Sequence, residues 1–393
     1  MKYVINDSTL TAIGDAVREK NGTSEKILVS DIPASILAIE TGGGAEIPDE
    51  VFAFTGDCED LFIKNHFNYF IENYTDKFSF NEITTISAMC QKSDELKHFP
   101  FVINLSTGTT YTFNCMNVFQ HCNLLETIPT IKGTLPLPTG NYNKNPGIQH
   151  IFAYCYSLKE IPYDWFNNWI SEEFAETAKK YNGSRGGYFQ YCHALRSYPD
   201  LTRVAHTLAT SNSTKLYYSL FTYCCSLDEI VDLPVLTLVA SSGSQLNNTF
   251  NYCGRLKKLT FETNTDGSAI VAPFKNDTID LSKNTGYTGI DTIAQYVQKY
   301  GGFTTDTEVK DAASYQALKD NPDYWTKLEA YSRYNHDSAV ETINSLPDAS
   351  ANGGCVIKFR GAAGSATDGG AINTLTEEEI AVAAAKGWTV TLV

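Results

Sequence analysis

The sequence predicts an α/β solenoid, and three observations predict it: a motif that recurs along the middle of the chain, the even spacing of its copies, and flanks in which helix and strand patterns alternate. The copies are VFQHCNLLETIPTI from Val118, IFAYCYSLKEIPYD from Ile151, YFQYCHALRSYPDL from Tyr188, LFTYCCSLDEIVDL from Leu220 and TFNYCGRLKKLTFE from Thr249, sharing the frame F-x-[HY]-C-x-x-L-x-x-apolar. A weaker copy, AMCQKSDELKHFPFVI, begins at Ala88, with Met89 and Cys90 standing in for the usual Phe and Cys. The frame cysteines Cys90, Cys122, Cys155, Cys192, Cys224 and Cys253 are separated by 32, 33, 37, 32 and 29 residues. Each copy has one apolar face too small to fold alone, and stacking the copies joins those faces into a continuous core.

In a stack, equivalent residues form columns. Phe119, Phe152, Phe189, Phe221 and Phe250 are expected to run along the interior as an aromatic spine. The cysteine column reads as small buried thiols, because a disulfide would need neighbouring copies to place both sulfurs in bonding geometry. No Cys or His pair has the spacing of a structural zinc site, and Cys224 and Cys225 are adjacent, which points them to opposite sides of an extended segment.

Beside the cysteines stand Tyr154, Tyr191, Tyr223 and Tyr252, with His121 in the same place. As a binding surface these rings would stack on sugars; as structure they would form a ladder of half-buried rings. Within LKEIP, Leu158 and Ile161 face inward, so alternation turns Glu160 and Pro162 outward. The matching outward columns are Thr127, Glu160, Ser197, Glu229 and Lys258, then Pro129, Pro162, Pro199, Val231 and Thr260. The candidate binding residues are Tyr154, Tyr191, Tyr223, Tyr252, Glu160, Ser197 and Glu229.

The F-x-x-C-x-x-L-x-x-I-P frame resembles the leucine-rich repeats of the BspA type, found in bacterial surface proteins and in phage and protist proteins. The resemblance covers roughly residues 85 to 265, and 336 to 393 looks like degenerate terminal units of the same kind. It implies a right-handed solenoid with one short strand per coil lining a shallow curved sheet. The spacing exceeds the family's usual one of about 23 residues, so longer inserts are expected to make the convex side irregular.

At the N-terminus, Leu10, Ile13 and Val17 fall at helical spacing behind Asp7 or Ser8 as cap, with Gly22 to end the helix. Ser30 opens a second helix with Pro33 in its first turn and an apolar stripe through Ile32, Ile36, Leu37 and Ile39, ended by Gly42, Gly43 and Gly44. Two such short helices leave apolar surface for a partner. The run from Leu10 to Glu40, with Ala16, Arg18, Glu19, Lys20, Gly22, Ser30, Asp31, Ile32, Ile36 and Ile39 in pattern, resembles a helical module near the N-terminus of tail and structural proteins of bacteriophages of Gram-positive gut bacteria. That resemblance implies attachment to other virion proteins, or oligomerisation, through Leu10, Ile13, Val17, Ile36 and Ile39.

The resulting organisation is an N-terminal helical hairpin over 1–41, a glycine hinge over 42–47, an aromatic-rich N-terminal cap over 48–84, the repeats over 85–275, and C-terminal helix and strand units with a cap over 276–393. The longest insert, Asp164 to Gly187, places Trp165, Phe166, Trp169, Ile170 and Phe174 at roughly helical spacing, as a short helix packed on the array or a projecting contact element. Towards the C-terminus, helices are expected from Asp291, over Asp337–Leu346, and after Thr376, where Glu377, Glu378 and Glu379 complement the helix N-terminus and Gly387 closes it. CVIKFRG and WTVTLV read as strands.

Composition bounds the function. The 393 residues carry 30 Lys and Arg against 45 Asp and Glu, a formal charge of −15, which leaves no broad basic surface for nucleic acid. Only 19% of residues are charged and 12% are aromatic, a composition that suits glycan-binding extracellular or virion proteins. No run of eighteen apolar residues is present and the start, MKYVINDSTL, lacks a secretory pattern, so neither a membrane span nor export by that route is expected. The seven histidines, His66, His98, His121, His150, His193, His206 and His336, form no H-x-x-x-H or H-E-x-x-H pattern, and no G-x-S-x-G, P-loop or G-x-G-x-x-G fingerprint follows a strand. Asp57, Glu59 and Asp60 read as an exposed acidic cluster. No catalytic residue, metal or cofactor is expected.

These readings converge on a non-enzymatic bacteriophage virion protein, a tail fibre or tail-tip receptor-binding protein that adheres to a host cell-surface glycan or protein and can form a homo-oligomer. A structural or decoration protein of the head or baseplate, and a bacterial surface adhesin, are the alternatives.

Overall fold

A computed structural model of the chain describes residues 15, 52–65, 68–108, 113–137, 148–178, 185–206, 219–235, 246, 248–253, 256–282, 284, 334–359 and 375–393. The N-terminal hairpin with its attachment residues, the glycine hinge and the helix expected from Asp291 lie outside the described residues, Asp15 excepted, which is helical.

Among the described residues the fold is mixed α/β, and all its sheets are parallel. The strands β1 (Phe52–Asp57), β2 (Phe78–Thr85), β3 (Val102–Leu105) and β4 (Thr130–Lys132) form one sheet in chain order. Short pairs follow, β5 (Ile148–Gln149) with β6 (Arg185–Gly186), and β7 (Glu229–Leu233) with β8 (Lys258–Phe261). Near the C-terminus β9 (Thr278–Asp280), β10 (Cys355–Phe359) and β11 (Trp388–Leu392) make a third group, with β10 central. The helices are α1 (Asn68–Asn73), α2 (Glu172–Ala178), α3 (Thr202–His206), α4 (His336–Ser345) and α5 (Glu377–Ala385).

Between strands, successive copies of the frame are joined backbone to backbone. The Phe119 and His121 N–H groups donate to Ile151 O and Ala153 O, both at 2.9 Å; those of Phe152 and Tyr154 donate to Tyr188 O and Gln190 O at 3.1 and 2.8 Å. Phe189 and Tyr191 continue to Leu220 O and Thr222 O, and Phe221 and Tyr223 to Thr249 O and Asn251 O. Buried polar backbone is thereby satisfied along the ladder. The phenylalanines lie ring on ring, at 5.8 Å for Phe119 and Phe152, 6.3 Å for Phe152 and Phe189, 5.6 Å for Phe189 and Phe221, and 6.5 Å for Phe221 and Phe250.

The same bonds correct the weak copy. Cys90 N donates to Val118 O and Lys92 N to Gln120 O, so Cys90 occupies the phenylalanine position, Lys92 the tyrosine position and Ser93 the cysteine position. Phe62 N and Lys64 N donate to Met89 O and Gln91 O in the same way, which carries the ladder into the segment expected to be a cap. Sequence matching on cysteine slid that copy by three residues because a thiol fills the aromatic position there.

The insert after Ile161 also differs from expectation. Trp165, Phe166, Trp169, Ile170 and Phe174 are all buried, so it packs rather than projects, yet residues 163–170 run as successive turns and α2 starts only at Glu172. The Trp165 indole N–H donates to Pro129 O at 2.9 Å. That tryptophan helps to bury Pro129; Pro199 is buried as well, so of the three expected outward prolines Pro162 alone is exposed. Leu158 and Ile161 are buried, with Glu160 exposed between them.

In the C-terminal part, Asn335 caps α4, and Thr376 with Glu379 forms a reciprocal capping box on α5. Gly387 follows at φ +80°, where a Cβ would meet Ala349 and Ser350 backbone at 2.8 Å. No described helix is long and apolar enough to cross a membrane.

Candidate functional site

Four of the five frames close as tight turns. The N–H of the cysteine donates to the carbonyl of the phenylalanine three residues earlier, at 2.9 Å for Cys122, 3.0 Å for Cys155, 3.0 Å for Cys192 and 2.9 Å for Cys224. The second of the two residues between them has positive φ: His121 at 63°, Tyr154 at 67°, Tyr191 at 63°, Tyr223 at 63° and Tyr252 at 64°, with Lys64 at 59° and Lys92 at 62° in the earlier copies. Such a turn normally places glycine or asparagine at that position. Here the left-handed backbone swings an aromatic ring to the same side in each copy from His121 to Tyr252.

The rings consequently meet face to face. Centroids are 4.3 Å apart for His121 and Tyr154, 4.6 Å for Tyr154 and Tyr191, 4.7 Å for Tyr191 and Tyr223, and 4.3 Å for Tyr223 and Tyr252, with planes within 14° of parallel. All five rings are half-buried. Each interior ring is covered on both faces by its neighbours, so Tyr154, Tyr191 and Tyr223 offer a ligand edges and hydroxyls. Burial holds the Tyr154 hydroxyl above its ordinary pKa.

Beneath the ladder lie the thiols. The Cys155, Cys192, Cys224 and Cys253 S–H groups each donate at 3.0 Å to the phenylalanine carbonyl of the preceding copy, and Cys122 donates to Cys90 O at 2.8 Å. Ser93 does the same with its hydroxyl, to Phe62 O at 2.7 Å. All ten cysteines of the chain are buried, unbridged thiols. Between ladder and core, His193 and Cys225 approach at 3.4 Å beside the Tyr156 ring, and burial drives the imidazole down to about 3. Both are 2% exposed or less, so this thiol and imidazole are closed to substrate. Among the described residues no group of His, Cys, Asp and Glu is placed to hold a metal ion.

The outward column is present on consecutive copies: Thr127, Glu160, Ser197 and Glu229 are exposed and Lys258 is half-buried. In the next outward column Val231 is exposed and Thr260 half-buried. Asp57, Glu59 and Asp60 are exposed, and Asp57 Oδ1 accepts the Glu59 N–H at 2.9 Å, a local turn contact. Sequence reasoning missed Tyr163, which follows Pro162 and is 72% exposed. Alternation from outward Pro162 would turn the next residue inward; the chain instead enters its turns at residue 163, which the sequence pattern does not mark.

No protein-family model, curated protein or solved structure matches the chain.

Proposed function

We propose that the protein is a non-enzymatic component of a bacteriophage particle, a tail fibre or tail-tip protein that attaches to the host cell surface. In this reading residues 85–275 are a leucine-rich-repeat solenoid, the N-terminal hairpin docks on other virion proteins or a second copy, and the host ligand is a surface glycan or protein. The observation that carries it is the recurrence of one exposed position on consecutive copies, Thr127, Glu160, Ser197 and Glu229, held in register by the backbone ladder. A row of similar sites favours adhesion, because several weak contacts on a rigid support combine into strong attachment. The chemistry-bearing side chains of the interior, His193 and the thiols, are sealed from solvent, which suits binding better than turnover.

The full-length protein, fluorescently labelled, is expected to bind susceptible cells, and the combined Glu160→Ala, Ser197→Ala, Glu229→Ala variant to bind them less. Absence of cell binding by the folded wild-type protein overturns the reading. The face-to-face packing of the tyrosines favours a second one, a structural or decoration protein in which the array is a rigid spacer. Microscopy of particles carrying a labelled copy separates the two, since a head position excludes a tail fibre.

A further inference from the structure

Tyr154, Tyr191, Tyr223 and Tyr252 form an unbroken run of phenols on four consecutive copies, with centroids 4.6, 4.7 and 4.3 Å apart and planes 10°, 13° and 14° from parallel. Their backbone repeats as well, at φ 67°, 63°, 63° and 64°. The N–H groups of Tyr154, Tyr191 and Tyr223 donate to the carbonyls of Gln190, Thr222 and Asn251, each the residue just before the next tyrosine. Rings carried by a backbone that repeats in this way are related by little more than a shift along the stack. The carbons ortho to neighbouring hydroxyls are therefore separated by about the ring spacing, and a tilt of two side chains brings them together without moving the backbone.

These phenols are open to oxidation while the layer beneath them is not. All four rings are half-buried, so water and a small oxidant reach their edges. The thiols of Cys155, Cys192, Cys224 and Cys253 are fully buried, and each S–H is held by a phenylalanine carbonyl at 3.0 Å, with no water to take up its proton. The nearest accessible redox partner of an oxidised ladder tyrosine is consequently the next tyrosine. Tyr163, 72% exposed, is the most accessible phenol among the described residues and has no described ring packed on it, which makes it an internal control.

We propose that the tyrosine ladder is a modification site, at which a one-electron oxidant, such as a peroxidase or a photo-oxidised metal complex, joins Tyr154 to Tyr191, Tyr191 to Tyr223 or Tyr223 to Tyr252 as dityrosine. Each of two adjacent phenols gives one electron to the oxidant and its hydroxyl proton to water. The two phenoxyl radicals couple through ortho carbons, which forms one C–C bond. The hydrogen on each joined carbon then moves through water to the ring oxygen, restoring both aromatic rings and both hydroxyls. The chain loses two hydrogens in total, and two equivalents of oxidant are each reduced by one electron. The link closes a loop of 37, 32 or 29 residues respectively, which removes freedom from the unfolded chain and fastens one copy to the next. The inference rests on ring geometry and does not depend on where the protein acts.

The test is brief photo-oxidation of the dilute full-length protein with tris(bipyridine)ruthenium and persulfate, read by dityrosine fluorescence, intact mass and a peptide map of the monomeric product. The monomer is expected to fluoresce, to be lighter by two hydrogens, to yield linked peptides that carry adjacent ladder tyrosines, and to unfold at a higher denaturant midpoint than untreated protein. The combined Tyr191→Phe, Tyr223→Phe variant keeps four stacked rings but leaves no two phenols adjacent, and is expected to lose the fluorescence of the monomer. Tyr191→Phe alone should keep only the link between Tyr223 and Tyr252. A monomer free of dityrosine, links that map to Tyr163 or to other tyrosines outside the ladder, or fluorescence undiminished in the combined variant overturns the proposal, and the peptide map decides it on the wild-type protein alone.

Discussion

A left-handed tyrosine needs a compensating interaction. Positive φ in a non-glycine residue costs about 1–2 kcal/mol, and a favourable ring pair contributes about 0.5–1.5 kcal/mol beyond its buried area. Tyr191, at φ 63°, stacks on both Tyr154 and Tyr223, so two ring pairs offset one strained backbone. Tyr191→Ala is expected to lose both pairs and keep the strain, whereas Tyr191→Gly loses the pairs and relieves it. The glycine variant should be the more stable of the two by about 1 kcal/mol, reversing the usual order of alanine over glycine. Denaturant midpoints decide it, and an alanine variant at least as stable as the glycine one would show that the turn is not strained. The thiols beneath follow a simpler rule. Burial pushes Cys58 up to about 12 and raises Cys90, Cys122, Cys155, Cys192, Cys224 and Cys253, so they stay protonated and unreactive near neutral pH. Ellman's reagent is expected to label none of the ten cysteines in the folded protein and all ten after unfolding; rapid labelling of even one without denaturant contradicts the packing. Ser93 shows what the position requires, a small side chain with a donor, and predicts that Cys155→Ser is mild.

At the scale of elements, α4 and α5 are tied by one imidazole. His336 Nε2 lies 3.2 Å from Glu379 Oε2 and Nδ1 lies 3.3 Å from Asp337 Oδ1, while Glu379 also accepts the Thr376 N–H at 2.7 Å. Hydrogen bonding to Asp337, then to Glu379, raises His336 above its ordinary 6.5, and the Thr376 N–H, with smaller help from His336, lowers Glu379 below its ordinary 4.5. Stability from the raised histidine is fully present below 6.5 and is lost as pH rises through its folded value. Stability from the lowered glutamate is present above 4.5 and is lost as pH falls through its folded value. The contact therefore contributes most near about pH 5.5, and modestly, since both groups meet solvent. The gap in melting temperature between wild type and His336→Ala is expected to peak there and to narrow in alkali; a gap constant with pH would show that the imidazole acts only as a spacer. These helices were legible in the sequence because caps are local: Thr376 and Glu379 sit three apart, and Pro347 follows the end of α4. The turns of residues 163–170 were not, because Trp165, Phe166, Trp169 and Ile170 show helical spacing while their backbone serves a packing demand from Pro129 and Phe113, distant in sequence. The tyrosine column was legible as a column, but its left-handed backbone, which decides that rings cover one another's faces, leaves no mark when the residue is not glycine.

Across the whole molecule, a ladder of parallel backbone must end somewhere, and its last copy would expose N–H groups in an apolar interior. Among the described residues, two side chains from beyond the repeats close it: Asp277 accepts the Leu246 N–H at 3.0 and 3.2 Å through its two carboxylate oxygens, and Asn284 Oδ1 accepts the Cys253 N–H at 3.0 Å. Asp277 also accepts the Thr278 N–H at 2.9 Å, at the start of β9, so one buried carboxylate links the final frame to the C-terminal sheet. Thr342 and Ser345 of α4 reinforce the junction, through Thr342 Oγ1 donating to Leu259 O at 2.7 Å and the Phe261 N–H donating to Ser345 Oγ at 3.1 Å. Removing the carboxylate strands a buried donor, which costs about 1–3 kcal/mol. Asp277→Ala is expected to lower stability by about that amount or more, whereas Asp277→Asn retains one acceptor oxygen and should lose less. Hydrogen exchange adds the spatial test: in Asp277→Ala the amides of Leu246 and its neighbours should lose protection while those of Phe119 and Phe152, two copies or more away, keep theirs. Uniform loss along the chain would mean that the ladder unfolds as one cooperative block, and unchanged protection at Leu246 would mean that Asp277 does not close it.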